Sequence, residues 1–129
     1  MFETADRFEA GFHILNQWLA IKQKGKNLAS FFEDNNIGNA AIYGMGALGE
    51  RLLCDLRQLQ IPVLYGIDKM AEEKRIQGLK LYGADADFYP DVDAIIVTPV
   101  QDYWNIVEAL KNKTKVPILS LEDVIEYCA

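Results

Sequence analysis

One histidine and two cysteines are all that 129 residues offer to imidazole or thiol chemistry. The histidine, His13, stands well before any motif, and a zinc site or a Ser-His-Asp arrangement would need partners the chain lacks. Cys54 and Cys128 lie far apart and match no metal spacing, so both read as reduced thiols in a reducing, cytoplasmic compartment. Long apolar runs are missing as well. A stretch such as Ala94–Val97 is far too short to span a bilayer, which argues against membrane insertion. The opening MFETADRFEAGF lacks the basic-then-apolar pattern of a secretory signal. Positive charge is also short: 13 Lys and Arg against 19 Asp and Glu leave a formal charge of −6. Nucleic-acid affinity rests on cations that neutralise phosphates, so a general nucleic-acid partner is not expected. The small cluster Lys22, Lys24 and Lys26 reads as a solvated helix end.

What remains is the composition of one folded domain, 50% apolar and 25% charged. Asp6 to about Lys24 has helical periodicity, with Phe8, Phe12, Leu15, Trp18 and Leu19 on one stripe and Asp6, Arg7, Asn16 and Gln17 largely elsewhere. Gly25 can stop that helix, and Lys26–Asp34 forms a shorter one with Leu28, Phe31 and Phe32 as its apolar face. Residues 35–39 read as a turn. From Ala40 the period changes. Strands are expected at 40–43, 62–67, 79–82, 93–97 and 116–119. Helices are expected after the first (to about Gln60), after the fourth (Tyr103–Lys111) and after the fifth. In the last of these, Ser120 caps the start and Asp123 offers a box-like pairing. Apolar strands alternating with helices imply a parallel sheet covered on both faces, in the order 3-2-1-4-5. The expected organisation is an N-terminal helical extension over residues 1–38 and a doubly wound, Rossmann-like α/β domain over 39–129.

The chemistry lies between the first strand and its helix, in Gly44-Met45-Gly46-Ala47-Leu48-Gly49. A lone G-x-G-x-x-G is weak, but here a strand precedes it, a helix follows it, and an acid ends the next strand. Gly44 permits the tight turn. Gly46 lets a pyrophosphate approach the main-chain amides at the helix start, and Gly49 brings the helix close to the strand. Asp68 lies about twenty residues past the last glycine, where a carboxylate accepts hydrogen bonds from a ribose 2′-hydroxyl. That acid favours NAD over NADP, and Lys69 beside it weakens the preference. Arg51, in the first helical turn, is within range of a phosphate, although an exposed arginine is the commoner outcome. Thr98 and Pro99 follow the fourth strand at the ligand-binding edge of the sheet. A plain strand-ending turn explains them equally well. Tyr103 and Trp104 could flank a ring, with core packing the better expectation for Trp104. The glycines are also compatible with a fold that keeps them for packing and binds nothing.

The runs Ala41-Ile42-Tyr43-Gly44-Met45-Gly46-Ala47-Leu48-Gly49-Glu50-Arg51, Tyr65-Gly66-Ile67-Asp68-Lys69, Gly78-Leu79-Lys80-Leu81-Tyr82, Asp93 to Pro99, and Leu119-Ser120-Leu121-Glu122-Asp123 resemble small bacterial Rossmann-like domains. Those domains occur in capsule and surface-polysaccharide biosynthesis proteins. They are similar to the nucleotide-binding halves of nucleoside-diphosphate-sugar epimerases and dehydratases, and to the N-terminal domains of sugar acyltransferases. The resemblance covers about Ala40 to the end. It implies that Gly44, Gly46 and Gly49 contact a diphosphate and that Asp68 contacts a ribose or base. No catalytic group is carried over: those enzymes use a Tyr-x-x-x-Lys pair, and Tyr103 is followed four residues later by Val107. The half that would hold a sugar is not expected in this chain either.

The leading expectation is an accessory NAD(H)-binding domain in a surface-polysaccharide or sugar-modifying pathway, with NADP, UDP-sugars and coenzyme A as open alternatives. A second is the cofactor-binding or UDP-sugar-binding part of an epimerase or dehydratase completed by a sugar-pathway partner. A third is an interaction module with an inherited fold, whose N-terminal stripe pairs two chains through antiparallel helices. Folding of that helix back onto its own sheet is an equal alternative.

Overall fold

The computed structural model describes residues 2–129, with side-chain surroundings from Arg7 onward. It contains five helices, α1 (Phe2–Gln23), α2 (Ala29–Asp34), α3 (Ala47–Gln58), α4 (Tyr103–Leu110) and α5 (Leu121–Cys128). The strands are β1 (Ala40–Tyr43), β2 (Val63–Asp68), β3 (Leu81–Gly83), β4 (Ile95–Val97) and β5 (Ile118–Ser120). All pairings are parallel, in the order β3-β2-β1-β4-β5, as the alternation of strands and helices requires.

Both faces of the central strands are covered, which is why β1 and β4 read as unbroken apolar runs. On one face Ala40 and Ile42 of β1, with Ile96 of β4, meet side chains from α1, α2, α3 and α5. On the other, Ala41 and Tyr43 of β1 and Ile95 and Val97 of β4 meet Ile106 and Leu110 of α4 and Tyr89 and Val92 of the preceding loop. The side-chain alternation of a strand thus divides one short apolar run between two cores.

Five local expectations are corrected. Of the expected apolar stripe of α1 only Trp18 faces inward, with Ile14 and Ile21 beside it, while Phe8, Phe12, Leu15 and Leu19 are exposed. The helix carries two apolar stripes, and the inward one is fixed by Trp18, whose Nε1 donates to Asp55 of α3 at 2.7 Å. Lys22 joins the same carboxylate at 2.8 Å, so one lysine of the basic cluster is an ion-pair partner. The position of the Asp6 side chain lies outside the described side chains. Trp104 is exposed and not in the core, because the 3–4 spacing of α4 gives the sheet Ile106 and Leu110 instead. Finally, α2 begins at Ala29, after an Asn27 side chain that accepts the Ala29 amide and turns the chain. At α5, Ser120 Oγ accepts the Glu122 amide at 3.2 Å, and no return bond from Asp123 accompanies it.

Candidate functional site

The glycine loop sits at the carboxyl edge of the sheet, between β1 and α3. Gly44 has a φ of +92°, and a Cβ there would stand 2.7 Å from both Pro99 Cδ and Thr98 Oγ1. Handedness and crowding both demand glycine. At Gly49 a Cβ would approach the Gly44 carbonyl oxygen to 2.0 Å, so the third glycine lets α3 start directly against the loop. Gly46 differs from both. Its φ is −85°, and a Cβ there would meet nothing within 4 Å. Nothing inside the chain requires glycine at this position, and the backbone is open to whatever approaches.

Three side chains hold the loop in place. Asp68, at the end of β2, accepts the Met45 amide through Oδ2 at 2.7 Å and the Met70 amide through Oδ1 at 2.8 Å. Lys74 reaches back over a 3-10 turn to bond the Met45 carbonyl at 3.0 Å and Asp68 Oδ2 at 3.3 Å. Thr98 Oγ1 donates to the Gly44 carbonyl at 2.7 Å, and its amide donates to the Tyr43 carbonyl at 3.0 Å. Burial pushes the Asp68 carboxyl up, but the Met70 and Met45 amides and the Lys74 ammonium outweigh it and hold it below the ordinary aspartate value. Asp68 is therefore a carboxylate whose first role is to brace the loop, with an acceptor direction left on Oδ1.

The Met45 amide is spent on Asp68 and the Gly44 amide on Ile67 O. The amides of Gly46, Ala47, Leu48 and Gly49 have no protein acceptor among the described residues. They open the twelve-residue helix α3, so unsatisfied donors and the positive end of the helix coincide. Arg51 is exposed and makes no described hydrogen bond.

A two-lobed cleft lies over this loop. One lobe, about 670 Å³, is mainly apolar and runs between the glycines and α1, with Phe8, Phe12, Leu15 and Leu48 on its walls and Lys74 at its edge. The other, about 440 Å³, is the more polar of the two and is lined by Tyr43, Lys69, Asn105 and Asp102 beside the apolar Ile106 and Ala109. Gly44, Asp68, Pro99, Gln101 and Arg7 border both lobes. Arg7 lies 3.6 Å from Asp102, linking α1 to the turn before α4 across the cleft. A third hollow, about 700 Å³, opens beyond β2 and β3 and shares Lys69 with the polar lobe.

The sequence-selected residues thus converge on one edge, with differing roles. Gly46, Ala47, Leu48 and Gly49 present amides; Met45, Asp68 and Thr98 shape the loop; Pro99 packs on Gly44; and Lys69 stands exposed between two hollows. Sequence reasoning missed Lys74, Arg7 and Tyr43. The Tyr43 hydroxyl has no protein hydrogen bond among the described residues, and burial, then Asp68 and Asp102, raise its pKa, so it stays a neutral donor facing the polar lobe. Among the described residues no group of three or more His, Cys, Asp or Glu could hold a metal, and no helix is long and apolar enough to cross a membrane. Both cysteines are free thiols, Cys54 exposed and Cys128 buried. No family model, curated protein or solved structure matches the chain.

Proposed function

We propose that the chain binds a nucleotide diphosphate of the NAD(H) type at the glycine loop, as an accessory domain without acid–base machinery of its own. The observation that supports this most directly is the row of four unpartnered amides, Gly46 to Gly49, at the start of α3 beside an open Gly46. Unpartnered amides at a helix start, those of Gly46, Ala47 and Leu48 beside the lobe, suit a pyrophosphate, and Lys74 and Arg7 at the border of the lobe add positive charge. The free acceptor direction on Asp68 Oδ1 suits a ribose hydroxyl. A surface-polysaccharide or sugar-modifying pathway is the setting suggested by the resemblance of the loop and strand motifs.

A second reading rests on the polar lobe. Tyr43, Asn105 and Lys69 offer donors of the kind that hold a hydroxylated sugar, which fits the nucleotide-holding part of a sugar-nucleotide epimerase or dehydratase completed by another chain. Thermal melting with NAD, NADH, NADP, UDP-sugars and coenzyme A separates the two. A ligand at a hundred times its dissociation constant adds about 2.7 kcal/mol. Stabilisation by NAD or NADH supports the first reading, and stabilisation by UDP-sugars alone supports the second. No shift with any of them rejects both.

A further inference from the structure

Helix α1 turns one apolar stripe into the core and leaves another uncovered. Phe8, Phe12, Leu15 and Leu19 are 76%, 71%, 42% and 55% exposed and follow one another at spacings of four, three and four. That is the seam of a two-helix coiled coil, narrower than the face a helix needs to pack on a sheet. We propose that two copies of this chain associate through this seam, α1 against α1 in antiparallel orientation.

Three features favour a second copy as the occupant. The first is charge. By sequence the start of α1 holds Glu3, Asp6 and Glu9 against a single Arg7, while its last turn holds Lys22, with Lys24 and Lys26 in the turn that follows. Antiparallel pairing lays the acidic end of each helix along the basic end of the other, and it opposes the two helix dipoles. Parallel pairing stacks like on like.

The second is Gly11, beside Phe12 in the middle of a 22-residue helix. A Cβ at Gly11 would meet nothing within 4 Å. Glycine weakens a helix interior by about 0.5–1 kcal/mol, and no crowding within its own chain demands it. It borders the apolar lobe and leaves room for close approach of a second helix.

The third is area. The four side chains expose on the order of 400 Å² of apolar surface per copy. Two copies would then bury roughly 800 Å² of apolar surface, enough for the core of an interface of about 1,200 Å². That is the lower end of the stable range, so the dimer is weak, with a dissociation constant in the micromolar range. Phe8, Phe12 and Leu15 also wall the apolar lobe over the glycine loop. The second copy's α1 therefore lies along the mouth of that cleft.

Sedimentation equilibrium of the full chain, without nucleotide, tests this apart from any ligand question. The native chain forms a concentration-dependent dimer. Phe12→Glu weakens it roughly 30-fold or more, because it places a charge at the centre of the seam. Because Phe12 is exposed, that variant keeps the melting temperature that the native chain shows at concentrations where it is monomeric. Lys24→Glu with Lys26→Glu weakens the dimer several-fold, since both side chains are exposed and form no described ion pair. A native chain that stays monomeric through the high-micromolar range overturns the proposal. So does a Phe12→Glu chain that dimerises as the native one does, which is the result expected if another surface pairs the copies.

Discussion

The Asp68 carboxylate accepts the Met45 amide at 2.7 Å, which joins the end of β2 to the glycine loop that follows β1. Parallel neighbours have no hairpin between them, so this bond spans 23 positions of sequence and fixes the loop relative to the sheet. With Lys74 and Thr98 on either side, the amides at the start of α3 are held in position before any ligand arrives. Preorganised donors lose little entropy on binding an anion. The same bond commits one oxygen of the acid that sequence reasoning assigns to a ribose or base.

Replacing Asp68 with Asn tests that commitment. An asparagine keeps one acceptor oxygen and turns an NH2 towards either the Met70 amide or the Met45 amide and Lys74. The expected loss is about 1.5–3 kcal/mol at neutral pH, the scale of hydrogen bonds to a charged group. The Asp68 pKa is lowered by folding. Its contribution is therefore present above the unfolded aspartate value of about 4 and disappears as pH falls through the lower folded value. Denaturant unfolding at several pH values should show native and Asp68→Asn curves converging only in strong acid. A gap that closes already near neutrality would contradict the assignment.

The first and second halves of the glycine motif separate under alanine substitution. Gly49→Ala brings a methyl to 2.0 Å from the Gly44 carbonyl oxygen, which is main chain and cannot turn away. The expected cost is at least the ~1–3 kcal/mol typical of overpacking, with α3 displaced from β1. Gly46→Ala meets no neighbour within 4 Å, and because Gly46 caps α3, where alanine is a poorer cap than glycine, it costs about 0.5–1 kcal/mol and leaves the chain folded. Any loss of nucleotide binding in Gly46→Ala therefore reports on the ligand site alone, and calorimetry on a folded variant reads it directly.

Tyr65 and Tyr89 stack with ring centroids 6.3 Å apart under the loop that follows β3. Their hydroxyls donate to Pro90 O at 2.7 Å and Gly83 O at 2.9 Å. Burial, with Tyr82, Tyr89 and Asp91 around Tyr65 and with Tyr43 and Asp85 around Tyr89, pushes both pKa values up to about 12. A group whose folded pKa is raised stabilises the fold fully below its unfolded value, about 10 for tyrosine, and loses that contribution as pH climbs to the folded one. Stability should therefore fall between about pH 10 and 12, and absorbance titration should show two tyrosines ionising late. Tyr65→Phe should remove one late ionisation and flatten part of the alkaline loss.

How far the sequence discloses this molecule depends on how many neighbours a residue meets. Strands β1 and β4 are central, packed on both faces, and their apolar runs are plain in the sequence. The edge strands β3 and β5 begin two residues later than the pattern of Leu79 and Val116 suggests, and central β4 likewise begins at Ile95 and not at Asp93, so strand starts are less legible than the apolar runs themselves. In α1, Ile14-Trp18-Ile21 and Phe8-Phe12-Leu15-Leu19 both repeat at three and four, so periodicity offers two inward faces and cannot choose. The choice is made by Asp55, on another helix, accepting from Trp18. Gly44, Gly46, Gly49 and Asp68 were visible because spacing alone defines them. Lys74 was not, since a 3-10 turn with no sequence signature folds it back onto a loop 29 positions earlier.

Lys74 and Thr98 brace the same loop, yet their replacement should have opposite consequences. Thr98 is buried, and Thr98→Val strips the part-buried Gly44 carbonyl of its donor, which costs about 1 kcal/mol. Its hydroxyl is spent on the Tyr43 and Gly44 carbonyls, so nucleotide affinity measured well below the melting temperature should change little. The Lys74 side chain is a third exposed, and solvent screens its pairing with Asp68, so Lys74→Met should cost under about 1 kcal/mol of stability. If a diphosphate sits on the amides of Gly46 to Gly49, the lost cation instead lowers affinity roughly 10-fold and reduces the salt dependence of binding. Melting temperature and calorimetric affinity, measured on both variants across a salt series, check the pair together. A Lys74→Met chain that binds nucleotide with native affinity and native salt dependence would place the phosphates elsewhere.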